Sequence, residues 1–174
     1  MTDLQPTTET SIDGYNGNSI PWTDAEQRIR DNPAAPGQSY WIATTSPDGR
    51  PHVMPVGALW IDGAFYFSSG PGTRKSRNIA QNQHVVVTAV LPGLDLVVEG
   101  EAAKITDDAT LNKVAAVFGA SGWGPTVRDG AFYHDFSAPS AGPPPWELYQ
   151  VTPTKAFGLS TEEPYGATRW TFES

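Results

Sequence analysis

Apolar positions along this chain follow two periods, and the switches between them mark its elements. From Tyr40 the pattern is that of strands. "YWIATTS" and "PHVMPVGALWI" flank Asp48-Gly49, and the second run continues to Asp62-Gly63 before "AFYFSS". Asp-Gly between such runs is a strong local signal for a hairpin. "HVVVTAV" is a continuous apolar run, which predicts a strand covered on both faces, and "LPGLD" turns it into "LVVEGEAAKI". Helical spacing occurs twice. "TDAEQRIRDN" predicts a short helix with Thr23 as N-cap and Glu26 completing a capping box, broken by "NPAAPG". Thr106 or Asp107 caps a second helix, in which Leu111, Val114, Ala115 and Phe118 share a face and Gly119 ends the run. Between Ala120 and Pro145 lies a long irregular stretch holding Trp123, Phe132, Tyr133 and Phe136, of a length that is often functional or interfacial. "WELYQV", "KAFGLS" and "TRWTF" read as closing strands. Short connections between strands disfavour a crossover α/β fold. They predict a mainly β protein, an antiparallel barrel with a few helices outside it. Residues 1–20 are polar and acidic and are expected to form a disordered tail, with one domain over 21–174.

Composition narrows the function. A net charge of -8 argues against nucleic acid or an anionic membrane as the main partner. The absence of cysteine removes thiolate metal sites and a Cys nucleophile. No apolar run reaches the length of a membrane span, and the N-terminus shows no apolar signal region, so a cytoplasmic protein is expected. G-x-S-x-G, H-E-x-x-H and G-x-x-x-x-G-K-[ST] are all missing. His52, His84 and His134 are too widely spaced to suggest a metal site, and surface or packing roles suit them better.

Against this acidic background, "SGPGTRKSRN" (69–78) is anomalous. Thr73 is a reasonable N-cap for a helix, yet Arg74, Lys75 and Arg77 crowd its first turn. The dipole of a helix start disfavours cations by about 0.3–1 kcal/mol each. A bound phosphate reverses that balance, because the exposed amides and the cations then act together. A solvated surface helix is the competing reading. A second anomaly is Pro55, which removes a donor from the middle of a strand, with Gly57 two residues on. Such residues belong at edges, bulges or places where a ligand meets the backbone. Strict alternation would put His52, Met54, Val56, Ala58 and Trp60 on one face, and Val53, Pro55, Gly57 and Leu59 on the other.

The order of features, from "RPHVMPVGALWIDGAFYFSSG" through "TRKSRNIAQNQHVVVTA" to "LVVEGEAAKITD", resembles the flavin- and deazaflavin-binding split β-barrel family, pyridoxamine-5'-phosphate-oxidase-like. Within it, the chain looks most like the actinobacterial branch that uses coenzyme F420, a deazaflavin with a phosphate and an anionic oligoglutamate tail. The T-x-K-x-x-N pattern of Thr73, Lys75 and Asn78 is its most specific part. The resemblance implies a split antiparallel barrel, homodimeric, with cofactor at the subunit interface. It implies that Ser68, Thr73, Arg74 and Lys75 hold the phosphate, that Asn78 supports the turn, and that the backbone of Pro55, Val56, Gly57 and Ala58 meets the ring. The activity it implies is hydride transfer from reduced F420 to an electron-poor small molecule, with no catalytic side chain required. FMN in the same turn, or a non-catalytic flavin or haem carrier, are the alternatives. Tyr133, His134 and Trp146 are candidate proton donors only by their place near the aromatic stretch. That stretch, 120–145, matches no family pattern.

Overall fold

A computed structural model describes residues 4–14, 17–34 and 39–173. Eleven strands and three helices follow one another among them. The strands are β1 (Thr8–Ser11), β2 (Tyr40–Thr45), β3 (Pro51–Val56), β4 (Ala58–Ile61), β5 (Ala64–Ser69), β6 (His84–Leu91), β7 (Leu94–Ile105), β8 (Thr126–Arg128), β9 (Ala131–Tyr133), β10 (Glu147–Ser160) and β11 (Ala167–Thr171). The helices are α1 (Trp22–Asp31), α2 (Arg74–Gln81) and α3 (Asp108–Ala120). No helix among the described residues is long and apolar enough to cross a membrane.

Every strand pairing among the described residues is antiparallel. The main sheet runs β1-β11-β10-β7-β6-β2-β3, with β4 and β5 joined to it through β10. β10 is the seam. Its first half pairs with β5 on one side and β7 on the other, and its second half trades β5 for β11. The exchange happens where the register with β7 slips, between Pro153 and Lys155. Proline has no N–H to give the ladder, so a bulge there costs little. The predicted strands "WELYQV" and "KAFGLS" are therefore one bent strand.

The three hairpins at Asp48-Gly49, Asp62-Gly63 and Pro92-Gly93 form as the pattern predicts. Asp62 and Gly63 both take positive φ, 48° and 81°, which suits the tight β4–β5 turn. Other expectations give way. "PHVMPVGALWI" breaks at Gly57 into β3, an edge strand paired with β2, and β4, paired with β5. Strict alternation fails there, since Ala58 and Leu59 are both buried. β6 buries Val85, Val87, Ala89 and Leu91 on one face, while on the other Val86 and Thr88 are half-buried and Val90 is 72% exposed, so the strand is fully covered on one side only. Residues 4–14 are not a loose tail: β1 pairs with β11 from Thr8↔Thr171 to Ser11↔Thr168. Its polar side chains suit an exposed edge, and the backbone ladder holds it.

α1 begins at Trp22 with Pro21 as its cap, so the capping box at Thr23 does not form. Glu9 Oε1 accepts from the Trp22 amide at 3.0 Å, and Glu26 is buried, accepting from Trp60 Nε1 and pairing with Arg30 at 2.8 Å. An acid drawn inward to these partners cannot also reach back to a cap. α3 runs through Gly119 to Ala120, capped by Asp107, whose carboxylate accepts from the Thr110 amide at 2.8 Å.

β5 has a core on each side. Phe65 and Phe67 enter the barrel with Trp22, Tyr40, Val98 and Trp170. Tyr66 faces a second cluster with Leu111, Phe118, Phe132 and Trp146. The long aromatic stretch builds this second core: β8 pairs with β9, and Phe132 exchanges backbone hydrogen bonds with Trp146. Aromatic rings supply the area that such a short segment needs to stay packed.

Candidate cofactor site

The turn after β5 enters α2 as the sequence suggests. Thr73 is the N-cap, its hydroxyl accepting from the Ser76 amide at 3.3 Å. Ser69, Thr73 and Ser76 close a triangle of hydroxyls at 2.8, 3.0 and 2.9 Å. Thr73 is thus committed to bracing the turn and has no lone hydroxyl to offer. The amides of Arg74 and Lys75 lie where no helical carbonyl reaches.

Adjacency in sequence does not bring the cations together. Residues three apart share a helix face and neighbours do not. Arg74 and Arg77 accordingly lie on the exposed side of α2. Arg74 Nη2 donates to Ser46 Oγ at 2.9 Å, and Arg77 donates to the Gly72 carbonyl. Both border a shallow hollow that includes Asp48. Asn78 faces inward, its Nδ2 donating to Thr44 Oγ1 at 3.0 Å, and so pins α2 to β2.

Lys75 alone turns the other way. It is 6% exposed and makes no hydrogen bond or ion pair among the described residues. Burial pushes its pKa below the usual lysine value. It stands in the wall of a cavity of about 340 Å³ and is the one ionisable group in that lining among the described residues. Ser68, Pro55, Val56 and Gly57 share the wall. Ala58 does not. It is 1% exposed and belongs to the barrel core, so the expected four-residue backbone platform stops at Gly57.

The rest of the lining is one that no motif signalled. Phe118, Trp123, Phe136 and Trp146 border the cavity, as does Ala141. The turn carrying Ala141 closes through Ala138 N–H to the Gly142 carbonyl at 2.9 Å. It rests directly on the glycine-rich turn: a Cβ on Gly70 would lie 2.2 Å from the Ala141 carbonyl oxygen. The only hint in the sequence was aromatic density in an otherwise irregular stretch.

Trp146 is 2% exposed, and its Nε1 donates to the Gly142 carbonyl at 3.1 Å. Tyr133 lies under Arg128, whose guanidinium carbon is 4.0 Å from the ring centre, and His134 is exposed. Neither Tyr133 nor His134 borders the cavity. His52 on β3 senses the site electrostatically. Burial, then the charges of Arg74 and Lys75, hold its pKa below the usual histidine value.

The profile of a family described as pyridoxamine 5'-phosphate oxidase matches residues 28–159. The chain belongs to that family. No curated protein matches it. Among solved structures, it is similar to a pyridoxamine 5'-phosphate oxidase-related, FMN-binding protein from Nostoc punctiforme. The identity is 18%, over 85% of this chain and 88% of that one, with a TM-score of 0.56. A NimC/NimA family protein from Clostridium acetobutylicum gives 16% identity over 84% and 91%, also with a TM-score of 0.56. An F420 reductase gives 23% identity over 75% and 94%, with a TM-score of 0.52. These likenesses establish a shared fold.

Proposed function

We propose that this protein is an oxidoreductase that binds coenzyme F420 at a two-fold interface and passes hydride to an electron-poor small molecule. The observation that carries the reading is Lys75, a buried side chain in the wall of a cavity whose ammonium has no protein partner. Burial of the side chain disfavours its charged form, and an anion from outside the chain offsets that. The cofactor's phosphate fits that end, where Ser68 and the free amides of the α2 start add donors. Bound there, the deazaflavin supplies hydride chemistry. Lys75 fixes the anionic end, Pro55 to Gly57 give a flat wall for a ring, and the aromatic wall excludes water. Arg74 and Arg77, on the open side of the same helix, offer cationic surface to an oligoglutamate tail. FMN lacks such a tail, and the F420 reductase is the most similar in sequence of the three structures above.

The second copy belongs on the outer face of the main sheet. Trp41, Val53 and Val90 are exposed there by 45%, 51% and 72%. Trp41 lies opposite Pro55 in the β2–β3 register, and Pro55 also lines the cavity, so face and cavity share an edge. A partner seated on the face would close the site. FMN is the alternative occupant, supported by the FMN-binding relative of the same fold. Titrating purified protein with F420 and with FMN, followed by fluorescence, tests the assignment. F420 binding at least about tenfold tighter is expected, in a species of twice the chain mass by light scattering. Tight FMN binding without F420 binding would overturn it.

A further inference from the structure

The chain has four lysines, and three of them hold a carboxylate. Lys104 Nζ lies 2.6 Å from Glu147 Oε1, Lys155 Nζ lies 3.4 Å from Glu99 Oε2, and Lys113 donates to Asp62. Such partners favour the ammonium form, and the bond to Asp62 holds the pKa of Lys113 above the usual lysine value. Lys75 is the exception. No carboxylate borders the cavity that it lines, and burial moves its pKa the other way. Its Nζ has no partner but is open to a molecule the size of water. In the buried and half-buried residues described, Trp123 Nε1 is the one partnerless side-chain nitrogen or oxygen that is sealed off. Lys75 borders the cavity and not the shallow hollow beside Arg74 and Arg77, so it is on the cavity side that its amine is open.

We propose that Lys75 is a site of reversible covalent attachment: in the cofactor-free protein its amine condenses with a small aromatic aldehyde that enters the cavity. This goes beyond the cofactor assignment, because it concerns the empty site. A lysine without an acidic partner in an apolar pocket is the kind that acts as a nucleophile towards carbonyl carbon. The neutral amine adds to the aldehyde carbon, forming the C–N bond. The carbonyl oxygen then leaves as water with the two protons of the amine, and the product is an imine. Nothing is oxidised or reduced. Leu59, Phe118, Trp123 and Trp146 in the lining favour an apolar aromatic body on the aldehyde. The adduct removes the cation that a phosphate would meet, so aldehyde and cofactor exclude one another. The competing reading is a lysine that stays an ammonium until an anion arrives and reacts no faster than the other three.

The test uses the full chain without cofactor, benzaldehyde as the probe, and cyanoborohydride to fix the imine as a stable benzylamine. Peptide mass spectrometry reads where the benzyl group sits. The chain has no cysteine, so thiols do not compete, and the α-amino group, a weaker base than lysine, is scored apart. Lys75 should be labelled about tenfold faster than Lys104, Lys113 or Lys155 in the folded chain. In guanidinium chloride all four should react alike. Lys75→Arg keeps a cation at the position and should lose this adduct alone. No adduct at Lys75, a rate equal to that of the other lysines, or a pattern unchanged by unfolding would overturn the proposal. Saturating F420 tests the earlier reading separately. Labelling of Lys75 that F420 leaves untouched would overturn that reading and leave this one standing.

Discussion

The two sides of α2 carry the same type of charge in opposite circumstances. Arg74 and Arg77 stand in solvent and are hydrogen-bonded, to Ser46 and to the Gly72 carbonyl. Lys75, between them in sequence, is buried and unpaired. Exposed cations near a helix start cost tenths of a kcal/mol and are screened by salt. At Lys75, burial of the side chain penalises the charged form directly, and no protein partner offsets it. The exposed pair therefore needs no special reason to exist, while Lys75 does. The difference teaches that a cluster of charges in sequence must be divided by helical face before any chemistry is read from it.

The largest expected effect comes from removing the buried member. Lys75→Met should weaken cofactor binding by about a hundredfold, as for loss of a desolvated charge contact, and should raise the melting temperature of the ligand-free protein. The sign follows from linkage. Lys75 has a lower pKa folded than unfolded, so between the two values the unfolded chain binds more protons. That contribution to wild-type stability should rise with pH across this window and should be absent in the variant. A variant that loses both stability and binding would show that Lys75 is structural.

The next effect tests the aromatic part of the lining. Gly70→Ala would force a methyl against the Ala141 carbonyl, a backbone atom that cannot easily retreat. A loss of about 1–3 kcal/mol in urea unfolding is expected, as for other overpacked contacts, with weaker cofactor binding. Unchanged unfolding and affinity would mean that the aromatic wall does not rest on the glycine turn in solution. The smallest effect belongs to the exposed side: Arg77→Ala should weaken F420 binding only a few-fold, and the loss should vanish in high salt. An equal effect on FMN, or one indifferent to salt, would remove the tail from the account.

Much of this fold was legible from one dimension. The turns at Asp48-Gly49 and Asp62-Gly63, the cap at Thr73 and the apolar face of α3 are local facts, fixed by residues within a few positions of one another. What local reading missed was competition. Glu26 fits a capping box by spacing, but the indole of Trp60, far along the chain, draws it inward. Pro55 and Gly57 marked a break in the strand, yet nothing nearby could say that Ala58 leaves the platform for the core.

By itself, then, the sequence determined the three hairpins, the basic helix start and the T-x-K-x-x-N pattern, because each depends on contacts across a turn or less. Only the tertiary structure decided which cation is buried and that 120–145 closes over the glycine turn. Those outcomes depend on side chains separated by dozens of residues competing for the same space, and no local pattern encodes who wins.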